Sequence, residues 1–444
     1  GVMVCLLRWI YAPHQHRYLY LAFFWYGITF NNHQSLLVIA LGLEVAILVT
    51  QAKLGRDIIF WNVLIWIGGL IGRNMGLVGV LNDNPPLLIL YNAIGLGSLA
   101  TWIWLVARTR KSLIEHGRDL AMVFSAGYLL LLFGTITSYA TVFYRGNSLA
   151  LSIGSFILFN LFGLACLGAF AYLIRQTKGL GFEWLKTLGC GGSWALGAAF
   201  YLYMPLAGMS NPPLQWGYPR TVEGFFHAFT RGQYERIHPT FGQGNLFADL
   251  QRYSGQIGMY CSGVLEEFNL VYVLLGLIPF LFYKAMQKRE RAWMIGVTAI
   301  YLCVSFFLLI LLNPSPDRQS RDLNAVFFTA SHVMVAMGIG YGLALLAATL
   351  VTNFERFRTW ALGGFGAAAM IALIGVAQTV WSTPNPVDRY TAYIGLILAL
   401  AATGVVAVSK ARIHIKGLLL VFTLMPLWPM LGHWEDNEQR GHMF

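Results

Sequence analysis

Charge is scarce in this sequence. Asp, Glu, Lys and Arg make up 11% of its 444 residues, against roughly 25% in an ordinary soluble domain. A water-soluble globular protein is excluded, because so few charges leave almost nothing to present to water. Disorder is excluded as well, since hydrophobic residues reach 57% and aromatics 15%, classes in which disordered chains are poor. The five cysteines (Cys5, Cys166, Cys190, Cys261 and Cys303) form no CxxC pair. Their wide spacing, mostly within apolar runs, suits inert thiols better than a disulfide framework. Asn-x-Ser/Thr with x other than Pro does not occur, which leans towards a bacterial source. The ten histidines show no HExxH or paired ligand spacing, so neither a metal site nor a cofactor is expected. No Ser nucleophile elbow stands out. Gly338-Ile-Gly340-Tyr-Gly342 lies inside an apolar run with no strand before it, and reads as a helix-packing face rather than a phosphate loop.

What fills the sequence instead is long apolar runs. They lie at about 18–36, 36–50, 58–81, 87–106, 120–143, 149–174 and 187–206, then at about 268–283, 293–312, 324–351, 359–381, 390–408 and 417–431. Each is near the ~20 residues that cross a hydrocarbon core. The fold expected is therefore all-α, a polytopic transmembrane helix bundle of about thirteen spans with a long outer loop between spans 7 and 8. The organisation expected is 1–206 and 268–431 as two parts of the bundle, 207–267 as an outer-face loop with interfacial helices, and 432–444 as the start of an outer region.

The net charge of +11 raises the question of nucleic acid. Its distribution answers it. Loops alternate between basic-rich and basic-poor, and twenty of the thirty Lys and Arg fall in seven rich loops, from Arg8/Arg17 to Lys410/Arg412/Lys416. The short alternate loops hold only Arg145, Arg318, Arg321 and Arg389. This is the positive-inside pattern, so the basic excess reports topology and no nucleic-acid partner is implied. It predicts a multi-pass protein of a bacterial inner membrane, with the long loop and the C-terminus on the outer, periplasmic side.

Residues 205–267 form the one long polar insertion, and loops of that length usually serve a purpose. Asn211-Pro212-Pro213 forbids helix there, after which Thr221 can cap a short aromatic helix lying at the membrane surface. An interfacial lid that holds the bundle together is one reading. A substrate lid is the other, with Arg220, Arg231 and Arg252 suited to phosphate and Trp216 and Tyr234 to a sugar face. Glu44 and Arg73 lie in apolar runs, where an ionisable group needs a partner or a water cavity. They read either as a mutual pair or, for Arg73, as a phosphate contact. Asn31-Asn32-His33-Gln34 near the outer end of a span reads as helix packing or as the wall of a cavity. Arg318 and Arg321-Asp322 read as interface anchors or as a clamp on a lipid phosphate.

Several of these stretches together resemble a family of bacterial and animal membrane proteins long of unknown function, whose animal member is a protein O-mannosyltransferase acting on plexin and Met-type receptors. The residues that carry it are Gly27-Ile-Thr-Phe-Asn-Asn32-His33-Gln34, Tyr201-Leu-Tyr-Met-Pro205 and Asn211-Pro-Pro-Leu-Gln-Trp-Gly217, followed by Gly224-Phe225, Arg231-Gly-Gln233-Tyr234, Arg321-Asp322 and His433-Trp-Glu-Asp-Asn-Glu-Gln-Arg440. It covers residues 20–444. The resemblance implies a GT-C type glycosyltransferase that moves a sugar, mannose in the first instance, from a polyprenyl-phosphate donor to a hydroxyl of a protein or glycan acceptor on the outer face. It makes Trp216, Arg220, Arg231, Gln233 and Tyr234 lid residues, sets Arg321 and Asp322 at the donor phosphate, and makes Asn32 and His33 supports of the cavity; Arg73 is a further donor-binding candidate. The family's acidic Asp-Ser-Gly-Glu type motif is absent here, so its catalytic carboxylate is expected upstream of residue 1 in an N-terminally truncated chain. The alternative from another class is a lipid or solute transporter. Transporters tend to show two related halves, and no clear repeat is visible in the sequence.

Overall fold

The computed structural model describes the chain outside residues 75–77, 137–143, 146–147, 150–152, 179–181, 214–217, 231–237, 243, 316, 318–319, 321–323, 383–385, 411 and 434–444. Apart from a two-residue antiparallel pairing of Tyr144–Arg145 with Ser148–Leu149, its regular structure is helical. Among the described residues, the apolar runs expected from the sequence fall mostly on helix. Seven helices among the described residues are long and apolar enough to cross a membrane: Ala52–Asn74, Pro85–Thr109, Gly154–Gln176, Leu246–Leu281, Lys288–Leu312, Val326–Thr352 and Phe354–Trp381. The protein is thus a polytopic helical membrane protein.

The helices divide into two compact units, which differ from the four expected segments. Unit 1 is Gly1–Gln34 with Glu44–Arg236, and unit 2 is Ser35–Leu43 with Ile237–Phe444. The stretch 207–267 is accordingly no body of its own, because its two parts pack into different units.

Unit 1 contains α1 (Val2–Tyr11), α2 (His16–Asn32), the later part of α3 (Ile39–Thr50), α4 (Ala52–Asn74), the single turn α5 (Val80–Asp83), α6 (Pro85–Thr109), α7 (Leu113–Ile136), α8 (Ile153–Gln176), α9 (Phe182–Ala198), α10 (Tyr203–Met209) and α11 (Val222–Phe229). Its side-chain geometry corrects the expectation of no clear repeat. The hairpin of α4 with α6 recurs as the hairpin of α7 with α8. Gly55-Arg56-Asp57 opens the first and Gly117-Arg118-Asp119 the second, while Asn92, Gly95, Leu105 and Thr109 on α6 recur as Asn160, Gly163, Leu173 and Thr177 on α8.

The equivalent residues make equivalent bonds. Arg56 Nη1 donates to Thr109 Oγ1 (2.9 Å), and Arg118 Nη1 to Thr177 Oγ1 (3.1 Å). Trp66 Nε1 donates to Asn92 Oδ1 and Tyr128 Oη to Asn160 Oδ1, both at 3.0 Å. A Cβ on Gly95 or on Gly163 would stand 2.1 Å from the ring of Trp66 or Tyr128, so only glycine admits these crossings. Both second helices end on a left-handed residue, Arg110 and Lys178 (φ 50° and 57°). The two hairpins run in the same sense and adjoin in sequence, a repeat of neighbours rather than of halves.

Where the hairpins meet, charges are buried. Arg56, Asp57, Lys111, Arg118 and Asp119 have side chains only 3–7% exposed. Each Arg pairs with the Asp that follows it, Arg56 Nε to Asp57 Oδ1 at 2.8 Å and Arg118 Nη2 to Asp119 Oδ1 at 2.9 Å. Lys111, from the connection between the hairpins, bridges Asp119 and Asp57. Burial of three cations with two anions is tolerable because every partner is ion-paired and hydrogen-bonded.

Unit 2 holds α12 (Leu246–Leu281), α13 (Lys288–Leu302), α14 (Leu308–Leu312), α15 (Thr329–Thr352), α16 (Phe354–Ser382), α17 (Pro386–Val408), α18 (Ile415–Leu424) and α19 (Leu427–Gly432). Asn245 caps α12, its Oδ1 accepting from Ala248 N (2.8 Å), so this helix starts well inside the expected outer loop. The break that the sequence suggested near residue 268 is a kink instead. Asn269 is left-handed (φ 51°), and its side chain recaps the helix by accepting from Val271 N (3.0 Å). Asn suits this position because it enters the left-handed region at low cost. Part of the expected loop is core: Gln256 is buried, and its Nε2 donates to Asn313 Oδ1 (2.9 Å) and Pro314 O (3.1 Å).

Candidate functional site

A polar cluster that joins three elements of unit 1 lies at the C-terminal end of α2. It begins with two glycines. A Cβ on Gly27 would lie 2.2 Å from Trp194 O, and one on Gly197 would lie 2.2 Å from Phe24 O. Backbone-to-backbone contact of α2 with α9 therefore requires glycine on both helices. That contact lets Asn31 Nδ2 reach across, donating to Gly197 O (2.8 Å) as well as to Gly27 O on its own helix (2.9 Å).

One turn on, Gln34 Nε2 donates to Tyr201 Oη and to Phe229 O, both at 2.8 Å. The rings of Phe30, Tyr201 and Phe229 close round these bonds with centroids 5.2–6.2 Å apart, a spacing at which aromatic pairs attract. Asn31 Oδ1 and Trp194 Nε1 are buried and have no hydrogen-bond partner among the described residues. An acceptor and a donor in that state are costly, and both are the chemistry that a bound hydroxyl satisfies.

The neighbouring connection folds onto the same unit. Thr221 caps α11 as the sequence predicts, its Oγ1 accepting from Gly224 N (3.0 Å). Arg220 Nη1 donates to Asn211 Oδ1 (2.8 Å), and its guanidinium lies 5.3 Å from the ring centre of Tyr218. Asn211 and Tyr218 both have left-handed backbones. Arg220 itself is exposed and among the described residues has no acidic partner, so its charge can meet an anion.

Several site residues read from the sequence need correction. Asn32 is exposed and makes none of the cross-links; Asn31 and Gln34 make them. Asn31 lies in the last turn of α2 and Gln34 opens the turn that follows it, so no helical spacing in the sequence distinguished them from Asn32. His33 follows α2 in extended conformation, where it is half-buried. Glu44 and Arg73 do not pair: Asn62 Nδ2 donates to Glu44 Oε2 (2.7 Å), and Arg73 Nε donates to Asn82 Oδ1 (2.7 Å). Arg73 lies in the last turn of α4, about three turns beyond Asn62, the residue of that helix that meets Glu44, so a different amide serves each group. Trp216, Arg231, Gln233, Tyr234, Arg321 and Asp322 lie outside the described residues, as does Arg318. Of the last block, His433 is described, with Nε2 3.4 Å from Glu267 Oε2 in unit 2. Among the described residues no group of three His, Cys, Asp or Glu is placed to hold a metal.

Fold and site together define a multi-pass helical membrane protein with a polar, aromatic-walled cluster at one helix end. Compared with protein-family models, curated proteins and solved structures, the chain matches none.

Proposed function

We propose that the chain acts as a membrane glycosyltransferase that takes a sugar from a polyprenyl-phosphate donor. One observation carries this reading. Two of the stretches that resemble the glycosyltransferase family, 27–34 and 201–205, are far apart in sequence and are joined by the bond of Gln34 to Tyr201; the second bond of Gln34 goes to Phe229, one turn beyond the Gly224-Phe225 block. Asn31 Oδ1 and Trp194 Nε1, beside these bonds, are a buried acceptor and a buried donor that a bound hydroxyl would satisfy.

In this reading Asn31 Oδ1 and Trp194 Nε1 take hydroxyls of the sugar or the acceptor, and Asn32 and His33 border the cavity. The acceptor hydroxyl attacks the anomeric carbon while a carboxylate takes its proton. The bond to the lipid phosphate breaks with its electron pair on the phosphate oxygen, and arginines offset that charge. Arg220 is the described candidate, and Arg231, with Trp216, Gln233 and Tyr234, is expected from the resemblance to serve the same donor. The transporter alternative has no observation of this kind behind it, because the repeat relates adjacent hairpins of one unit.

The test is transfer from labelled polyprenyl-phosphate mannose by the full-length protein in vesicles. Transfer is expected, falling at least tenfold in Arg220→Ala, the loss of about one charge-assisted hydrogen bond. Movement of label across the bilayer without transfer to any acceptor would sink the reading.

A further inference from the structure

We propose that unit 2 binds an anionic glycerophospholipid from the leaflet facing the basic loops, with its phosphate at the start of α16 and an acyl chain in a cavity behind it. The cavity has a volume of about 710 Å³ and lies among α12, α15, α16, α17 and α18. Its wall includes Leu281, Phe357, Trp360, Gly364, Ala368 and Phe422. Few polar side chains reach it: Tyr272, whose Oη already donates to Met425 O, Thr349, and the indoles of Trp360 and Trp428. Apolar cavities of this kind do not hold water, and the size is that of ligand sites, roughly 300–1,000 Å³. A void of this size within membrane-crossing helices is filled by the hydrocarbon around it. Trp360, 80% exposed, marks its open flank.

Charge says which lipid. Arg356 places its guanidinium 5.8 Å from the ring centre of Phe357, a residue of the cavity wall. Arg358 donates through Nη2 to Ala407 O (3.0 Å), which fixes the side chain across the ends of α16 and α17. Its Nε is buried and has no hydrogen-bond partner among the described residues. A buried guanidinium nitrogen without an acceptor is expensive, and a phosphate oxygen is the acceptor that fits its fork. Lys410, Arg412 and Lys416 lie at the same helix ends, and Glu355 is the acid beside them. This lipid is distinct from the proposed sugar donor, since it sits in unit 2 at the ends that carry the basic loops.

Native mass spectrometry of the full chain tests this, after equilibration with equal phosphatidylglycerol and phosphatidylcholine. Phosphatidylglycerol is expected to be retained at least tenfold more. R358Q should bring that ratio near one, and G364F, which fills the cavity, should lower retention of both lipids severalfold. Thermal unfolding without added lipid checks that the variants fold; should G364F unfold, A368L takes its place. Equal retention of the two lipids by the unaltered protein overturns the proposal. So does an R358Q variant that keeps the preference, or displacement of the lipid by millimolar inorganic phosphate, which would mean a phosphate site without a chain site. Preferential retention of polyprenyl phosphate over phosphatidylglycerol also overturns it, by giving the cavity to the donor.

Discussion

Single residues decide both polar clusters of unit 1, and they do so through what they leave behind when removed. Gln34 serves two acceptors from one amide, so Gln34→Ala leaves Tyr201 Oη and Phe229 O unserved. We expect about 1–3 kcal/mol lower stability, read from thermal unfolding, and a loss of transfer in the full-length enzyme larger than Asn32→Ala causes. Equal effects of the two changes would mean that Asn32, not its neighbours, is the working residue. At the hairpin junction two single changes leave different residual charge: Lys111→Met balances the two Arg against the two Asp, whereas Asp119→Asn leaves three cations with one anion. Lys111→Met leaves each Asp its own Arg, whereas Asp119→Asn strands Arg118 beside Lys111. Breaking a buried pair from one side costs about 3–5 kcal/mol, so Asp119→Asn should lower the unfolding temperature well beyond Lys111→Met.

The same junction sets a pH response. His116 and Glu115 precede the apolar part of α7. Burial, then the charges of Lys111 and Arg56, holds the His116 imidazole below its ordinary range, against the pull of Asp119 and Glu115. Burial raises Glu115, but hydrogen bonds from Ser112 and the charges of Arg118 and Lys111 outweigh it, and the net shift is downward. For both groups the folded state gives up its proton more readily than the unfolded one. Stability is then full above the unfolded pKa, about 6.5 for His, and declines as pH falls through the folded value. Unfolding temperature should hold steady from pH 8 to 7 and fall from 7 to 5, with His116→Asn removing the first part of the fall. A flat profile in the unaltered protein would contradict this.

At the scale of elements, the duplicated hairpin makes a paired prediction. Gly95→Leu and Gly163→Leu each drive a side chain into an aromatic ring of the partner helix, Trp66 or Tyr128. The two changes should cost similar amounts, at least the ~1–3 kcal/mol of overpacking, measured by unfolding in mild detergent. A glycine between open flanks, such as Gly168, should tolerate Ala with little change. The helices themselves were readable beforehand. The Asn-Pro-Pro at 84–86 announces a cap and a start, and Asn84 Oδ1 does accept from Leu87 N (3.1 Å). The repeat was harder to see. Its landmarks are a few polar and glycine positions scattered through interchangeable apolar residues, and the connections differ in length, so the match shows only when Asn92 and Asn160 are seen making the same bond.

For the whole molecule, the sequence by itself determined the solvent. With 11% charge and seven helices able to cross a bilayer, membrane residence follows from desolvation energetics that depend on composition alone. It also determined where helices form, because hydrophobicity and caps are local. Partnership was decided only by the tertiary structure. Glu44 went to Asn62 and not Arg73, Asn31 and Gln34 displaced Asn32 as the linking residues, and the stretch read as one outer loop was divided between two units. The physical reason is the same in each case. A polar side chain in an apolar setting must find a partner within about 3 Å, and which group comes that close depends on helix crossings fixed by glycines such as Gly27 and Gly197, whose consequences no local pattern reveals.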